Sequence, residues 1–333
     1  MAPTLPRPWP DSARSGPLVE SWQLVRTGSI RRAASELAAA LRRVRTPEDR
    51  AAHAALLLTC RLASGDLSGA AVAGTVLEPS LVESGTPGVL ARLAHAELAA
   101  AAGDHERALM HFRRAGRLSD ADGSALVPWR SGAALAMVRL GQRPEATELA
   151  RGLLALAEEM ADPWHLAVAL RTVASVDPTA DALTSLDRSR GLARAADDRR
   201  LAAQVDTDLA GMLLLLPGSE HGRTVGLLRA AEDYAIGEAL WPLHGRISRL
   251  LGRAGERARP LHEEAIAQLT GGERRVAQLA ARGLTNRQIA EQLTVTIKGV
   301  EWHLSRVYRK LAISSREELV PLLDDAAHVP ATA

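Results

Sequence analysis

The sequence predicts an all-α protein, and three observations carry that prediction. Aromatic residues supply only 3% of the 333 residues, with a single Phe112 and two tyrosines. A core must then be assembled from Ala, Leu and Val, which suits closely packed helices better than sheets. Runs of β-branched residues and Asn-Gly hairpin signals are missing. Ala/Leu-rich stretches instead alternate with short Gly, Asp or Pro breaks at regular intervals. A hydrophobic content of 47% leaves ample material for a packed interior.

Taken in order, residues 1–27 read as a flexible Pro-rich leader, with prolines at 3, 6, 8, 10 and 17. They lack the apolar core of a signal peptide. No apolar stretch reaches the ~18 residues needed to span a membrane. The expected location is therefore cytoplasmic.

Residues 28–251 read as a helical array. The breaks Gly65-Asp66, Gly103-Asp104 and Gly141-Gln142 lie 38 residues apart, and Asp177-Pro178 and Pro217-Gly218 continue at nearly that interval. A fixed period of this size is the signature of stacked helical pairs. In the unit at residues 91–118, Ala108, Phe112 and Ala115 follow at spacings of four and three, which places them on one helix face. Small residues there let two helices approach, and the aromatic fills the gap between pairs. The pattern Gly-Asp-x-x-x-x-Ala-x-x-x-Phe-x-x-Ala resembles the second half of a tetratricopeptide repeat. The Trp and Tyr that open such a repeat are absent, and the period is longer than its usual length. A tetratricopeptide-like solenoid is the expected architecture, with a concave face able to take a protein or peptide partner. His105, His111, His165, Trp129 and Trp164 lack metal-ligand spacing and read as packing or surface residues. The lone Cys60 sits in an apolar run and reads as a buried structural thiol.

An Arg-rich linker is expected at 252–264, followed by a distinct module at 265–327. Thr270-x-x-Glu273 and Thr285-x-x-Gln288 are capping boxes that start two helices, and Gly283 ends the first of them. Thr296 is an N-cap for a third helix running towards Leu311. Ser315-x-x-Glu318 starts a fourth. In the third helix Val300, Leu304, Val307 and Leu311 form the apolar stripe. At roughly 100° per residue, Lys298, Trp302, Ser305 and Arg309 fall on the opposite face. Two cations, a hydroxyl and an outward indole suit a helix in the major groove, with cations for phosphates or guanine and an apolar edge for thymine methyls. Between Glu273 and Lys310 eight positive and three negative side chains give +5, while the whole chain is only +2. A basic end on a mildly acidic body is the electrostatic footprint of a DNA binder. Arg-rich, Lys-poor usage is also what a GC-rich genome encodes, but it does not explain why Lys298 and Lys310, the two lysines of the chain, both fall in this segment.

The module resembles the LuxR-type helix-turn-helix domain. The resemblance runs through Leu269, Thr270, Glu273, Val276, Gly283, Leu284, Asn286, Ile289, Ala290, Leu293, Val295, Lys298, Val300, His303, Lys310, Leu311 and Leu319. The run GVEWHLSRVYRKL is similar to that of the large ATP-binding LuxR-family regulators, in which tetratricopeptide-like helices also precede the DNA-binding domain. The resemblance implies that Glu301, Trp302 and Ser305 face base edges, while Lys298, Arg306 and Arg309 meet phosphates. Asn286 and Arg287 would touch the backbone, and Thr296 joins them at the start of the recognition helix, about Thr296–Leu311. Gly299 stands where the family commonly has Thr, at a cost of about 1 kcal/mol in helix propensity. Thr294 replaces the usual bulky residue or Gly of the turn.

The expected function is sequence-specific regulation of transcription. The expected partners are promoter DNA bound as a homodimer, RNA polymerase, and a protein or peptide on the array. No cofactor is expected. No Gly-Lys pair exists to form the phosphate-binding loop of the large relatives, so the expectation is a shortened relative without the ATPase. The alternating strands and helices of a receiver domain are absent too. The alternatives are a protein-interaction scaffold without specific DNA binding, a sigma-factor-like end that would need polymerase-binding segments, and an enzyme. No paired carboxylates, metal cluster or nucleophile–base arrangement supports the last.

Overall fold

A computed structural model describes residues 17–121, 129–178, 181–216, 221–259 and 269–311, with 313, 316 and 319. Every regular element among them is helical. The first thirteen α-helices are α1 (Pro17–Arg26), α2 (Ile30–Leu41), α3 (Pro47–Ala63), α4 (Leu67–Leu77), α5 (Gly85–Ala102), α6 (His105–Ala121), α7 (Trp129–Arg139), α8 (Arg143–Met160), α9 (Pro163–Val176), α10 (Asp181–Ala195), α11 (Arg199–Leu213), α12 (His221–Gly237) and α13 (Trp241–Arg253). Three more follow: α14 (Gly271–Ala281), α15 (Asn286–Leu293) and α16 (Ile297–Leu311).

The leader expected over 1–27 gives way to structure earlier than proposed. Helix α1 starts at Pro17, a residue that fits the first turn because its missing N–H has no partner to lose there. Leu18 and Trp22, four residues apart, are buried in the array core. Residues 1–16 lie outside the described residues, as do 260–268, which include the end of the expected linker.

The regular breaks are the turns within helix pairs. Gly65, Gly103 and Gly141 take left-handed backbone at φ 78°, 87° and 78°, where a side chain would be strained. Asp66 then caps α4 by accepting from the Gly69 N–H at 2.9 Å, and Asp104 accepts from the Arg107 N–H at 3.0 Å. Asp177 and Pro178 fall in the α9–α10 connection; Pro217-Gly218 lies outside the described residues. Three of the described turns from one pair to the next reach left-handed backbone without glycine. Ala161, Asp197 and Ala239 hold positive φ there, and Asp162 and Asp198 cap the helices that follow.

Each helix packs on its chain neighbours, and alternate helices also meet, as α3 does with α5 and α7 with α9. The interfaces are built from small residues. Ala108 and Ala115 are fully buried and Phe112 nearly so. The Phe112 ring occupies the space a Cβ at Gly132 would need, only 2.2 Å from it, and Trp129 does the same over Gly116 at 2.6 Å. Helices α6 and α7 thus exchange an aromatic for a glycine in both directions. Cys60 is fully buried, and burial pushes its thiol up to about 12.

The array curls until its two ends meet. The Tyr234 hydroxyl of α12 donates to the Gly28 carbonyl at 2.8 Å, and Arg199 donates to the Thr27 carbonyl and the Ser29 hydroxyl, each at 3.0 Å. The Arg31 N–H donates to Glu238 at 3.1 Å. The odd-numbered helices α1 to α11 face inward and line a cavity of about 510 Å³.

Candidate nucleic-acid interface

The C-terminal domain has its own core of Leu269, Val276, Ala277, Leu279, Ala280, Ile289, Ala290, Val300, Leu304, Val307, Leu311 and Leu319. Both capping boxes form. The Thr270 N–H donates to Glu273 Oε2 at 2.9 Å while Thr270 Oγ1 accepts from the Glu273 N–H at 3.3 Å. Thr285 and Gln288 repeat the exchange at 2.8 and 3.3 Å. Gly283 ends α14 in left-handed backbone, with φ 87°. The turn between α15 and α16 bends at Thr294, whose φ of 56° and ψ of 45° are left-handed without being glycine. Thr296 then caps α16 by accepting from the Gly299 N–H at 3.0 Å. Ser315 and Glu318, proposed to start a fourth helix, lie outside the described residues.

Glu273 does more than cap. Its side chain is 1% exposed, and Oε2 accepts from Lys310 Nζ at 2.6 Å while Oε1 faces Arg306 Nε at 3.2 Å. Burial pushes this carboxyl up. The Lys310 ammonium and the Thr270 N–H outweigh burial and leave it below its ordinary range. One acidic side chain on α14 therefore fixes the roll and axial position of α16 through two cations. The resemblance implied that Arg306 meets phosphates, but the residue is 6% exposed. Its side chain is buried, with the guanidinium 4.2 Å over the Trp302 ring and a hydrogen bond to the Ser68 hydroxyl of α4. Arg306 is a positioning residue: it stacks against the indole and ties α16 to Glu273.

The opposite face of α16 is open. Lys298, Glu301, Ser305 and Arg309 are exposed, and Trp302 is 56% exposed, a large value for an indole. Ser305 Oγ donates to the Glu301 carbonyl at 2.9 Å, so the hydroxyl offers its lone pairs outward. Arg287 is exposed and pairs with Glu291 at 3.2 Å. Asn286 accepts from Arg316 at 3.0 Å, which occupies its carbonyl oxygen. Val295 and Ile297 are 43% and 46% exposed at the start of α16, an apolar edge that the sequence analysis left out of the site. Their signal was large apolar residues lying off the buried stripe. His303 packs near Gly272 at the start of α14. Helix α13 lies against α16, and so joins the array to the domain.

Two capped helices, a tight left-handed turn and a third helix with one buried and one cationic face define a helix-turn-helix DNA-binding domain. Residues 267–323 match the family of bacterial regulatory proteins described as the luxR family, and the C-terminal domain of this chain belongs to it. A protein of Mycobacterium bovis named as an HTH-type transcriptional regulator is 44% identical over 73 residues, which are 22% of this chain and 8% of that protein. The transcriptional regulatory protein LiaR of Bacillus subtilis is 38% identical over 74 residues, 22% of this chain and 33% of the relative. The nitrate/nitrite response regulator protein NarL of Escherichia coli is 33% identical over 92 residues, 28% and 42% of the two chains. The match to the Mycobacterium protein thus spans less than a tenth of its length.

Proposed function

We propose that this chain is a transcriptional regulator that binds promoter DNA through α16 in the major groove, and that the array in front of it is its sensing or interaction module. The observation that carries the proposal is the free face of α16. Glu301, Trp302 and Ser305 are presented for base edges, and Lys298 and Arg309 for phosphates. Arg287 and Thr296 would meet the backbone beside them. Asn286 keeps its amide nitrogen for that purpose, and Arg306 serves by holding the indole. Val295 and Ile297 add apolar surface for thymine methyls. The proposal extends to a homodimer on DNA, to RNA polymerase and a protein or peptide as further partners, to a cytoplasmic location, and to a role without catalysis. No described helix is long and apolar enough to cross a membrane.

The test is salt-dependent binding of the full chain to duplex fragments selected from random sequence. Arg309→Ala should weaken every duplex alike and lower the slope of log K against log salt by about 1. Trp302→Ala should change the selected sequence. An absence of salt-sensitive binding across all duplexes would leave the interaction scaffold as the better reading.

A further inference from the structure

The cavity inside the array is built from seven helices spread along the sequence, and its lining is chemically uneven. Leu56, Leu90, Leu93 and Leu135 line it together with Trp22 and Trp164. A volume near 510 Å³ is that of a small-molecule site. Among these apolar walls stand three arginines. Arg171 is taken: it donates to Asp208 at 2.7 Å and to Gln204 at 2.8 Å. Arg26 and Arg200 have no hydrogen bond or ion pair among the described residues. Arg26 instead lies between two indoles, its guanidinium 4.5 Å from the centre of Trp164 and 5.5 Å from that of Trp22.

The two acids of the lining act on these cations through space, Asp198 on Arg26 and Glu97 on Arg200, without a hydrogen bond to either. Asp198 spends one oxygen on the Leu201 N–H at 2.8 Å and the other on the Trp164 indole N–H at 2.9 Å. Glu97 accepts from the Thr59 hydroxyl at 2.9 Å, and burial holds its carboxyl above the ordinary range. Two half-buried guanidiniums without a hydrogen-bonded anion, set in the wall of an apolar cavity, leave N–H donors open to an anionic ligand.

We infer that the cavity binds a small amphipathic organic acid, its carboxylate held by Arg26 and Arg200 and its hydrocarbon or aryl body laid against the leucines and the two indoles. Arginine matches a carboxylate through paired N–H donors, and the flat indole faces suit a ring or an extended chain. The ligand would fix the odd-numbered helices relative to one another, since each contributes to its walls. The inference builds on the reading of the array as the sensing part, but its test needs no DNA.

The probe is 8-anilinonaphthalene-1-sulfonate, an aromatic anion that fluoresces in apolar sites, titrated into the full chain and displaced by decanoate. One saturable site is expected, with decanoate displacing the dye and uncharged decanamide at least tenfold weaker. Arg26→Gln and Arg200→Gln should each raise the dissociation constant about tenfold, the effect of losing a charge-assisted contact. Leu93→Trp, which fills the cavity, should abolish binding with the helical circular dichroism unchanged. Decanamide binding as well as decanoate, or both arginine variants binding like the parent, would overturn the inference even if Leu93→Trp fails to fold. Loss of DNA binding would leave these titrations untouched and would bear only on the proposed function.

Discussion

Helices of the array meet over alanine, glycine and leucine, whereas α14 and α16 of the DNA-binding domain add to their apolar core one buried carboxylate between two cations. The array also buries acids, but the arginines beside them keep contact with solvent: the Arg229 and Arg190 side chains that serve Glu232 and Asp206 are 27% and 29% exposed, although Glu232 also faces the buried His244 at 3.7 Å. Around Glu273 all three groups are buried, with Arg306 and Lys310 at 7% and 9%. Small-residue packing tolerates local sliding, since one methyl resembles the next. A buried ion triad has one good geometry. The DNA-binding domain uses the less forgiving device.

The largest expected effect breaks that device. Glu273→Ala removes the carboxylate that Arg306 and Lys310 share inside the domain and should destabilise the C-terminal domain by about 3–5 kcal/mol. Hydrogen exchange in the full chain should accelerate across α14–α16 and stay unchanged in α5–α8. The same carboxylate sets a pH limit. Its folded value lies below the ordinary 4.5, so its stabilisation is complete above about 4.5 and is lost as pH falls through the folded value. Glu273→Gln should flatten that acid limb in α14–α16 specifically. Equal acid sensitivity in parent and variant would show that the triad does not hold the domain.

A smaller effect is expected from the array. Gly132→Ala drives a methyl into the Phe112 ring, and displacing the ring should cost about 1–3 kcal/mol, read as a shift in the urea midpoint. The smallest effect runs the other way. Thr294→Gly relieves left-handed strain in the turn before α16 and should stabilise the domain by about 0.5 kcal/mol, read as a rise in melting temperature. A destabilising Thr294→Gly would mean that this side chain supports the turn in some further way.

These two regions were legible in the sequence to different depths. The C-terminal helices could be read almost residue by residue, because capping boxes, the buried stripe and Gly283 are local signals. The burial of Arg306 escaped because a side chain that long can fold back along its helix. Its partner Glu273 lies 33 residues away and shows in sequence only its capping role. In the array, the Gly-Asp breaks located the turns within pairs. The turns between pairs escaped, since Ala161 and Ala239 give no hint of positive φ. Helix α1 was hidden by the prolines before it, although Leu18 and Trp22 already carry helical spacing. Closure of the array and its cavity had no local signal at all, since the contacts that create them join residues about 170 to 207 positions apart.

That closure alters how the array responds to damage. In an open stack, stability adds up from neighbour to neighbour, fraying begins at the ends, and specialised terminal units shield the exposed edges. Here Tyr234 and Arg199 fasten the last pairs to the residues around Gly28, so each end shields the other. A lesion at Tyr234 should therefore be felt in α1 and α2, some 200 residues earlier in the chain, before it is felt in helices much nearer in sequence.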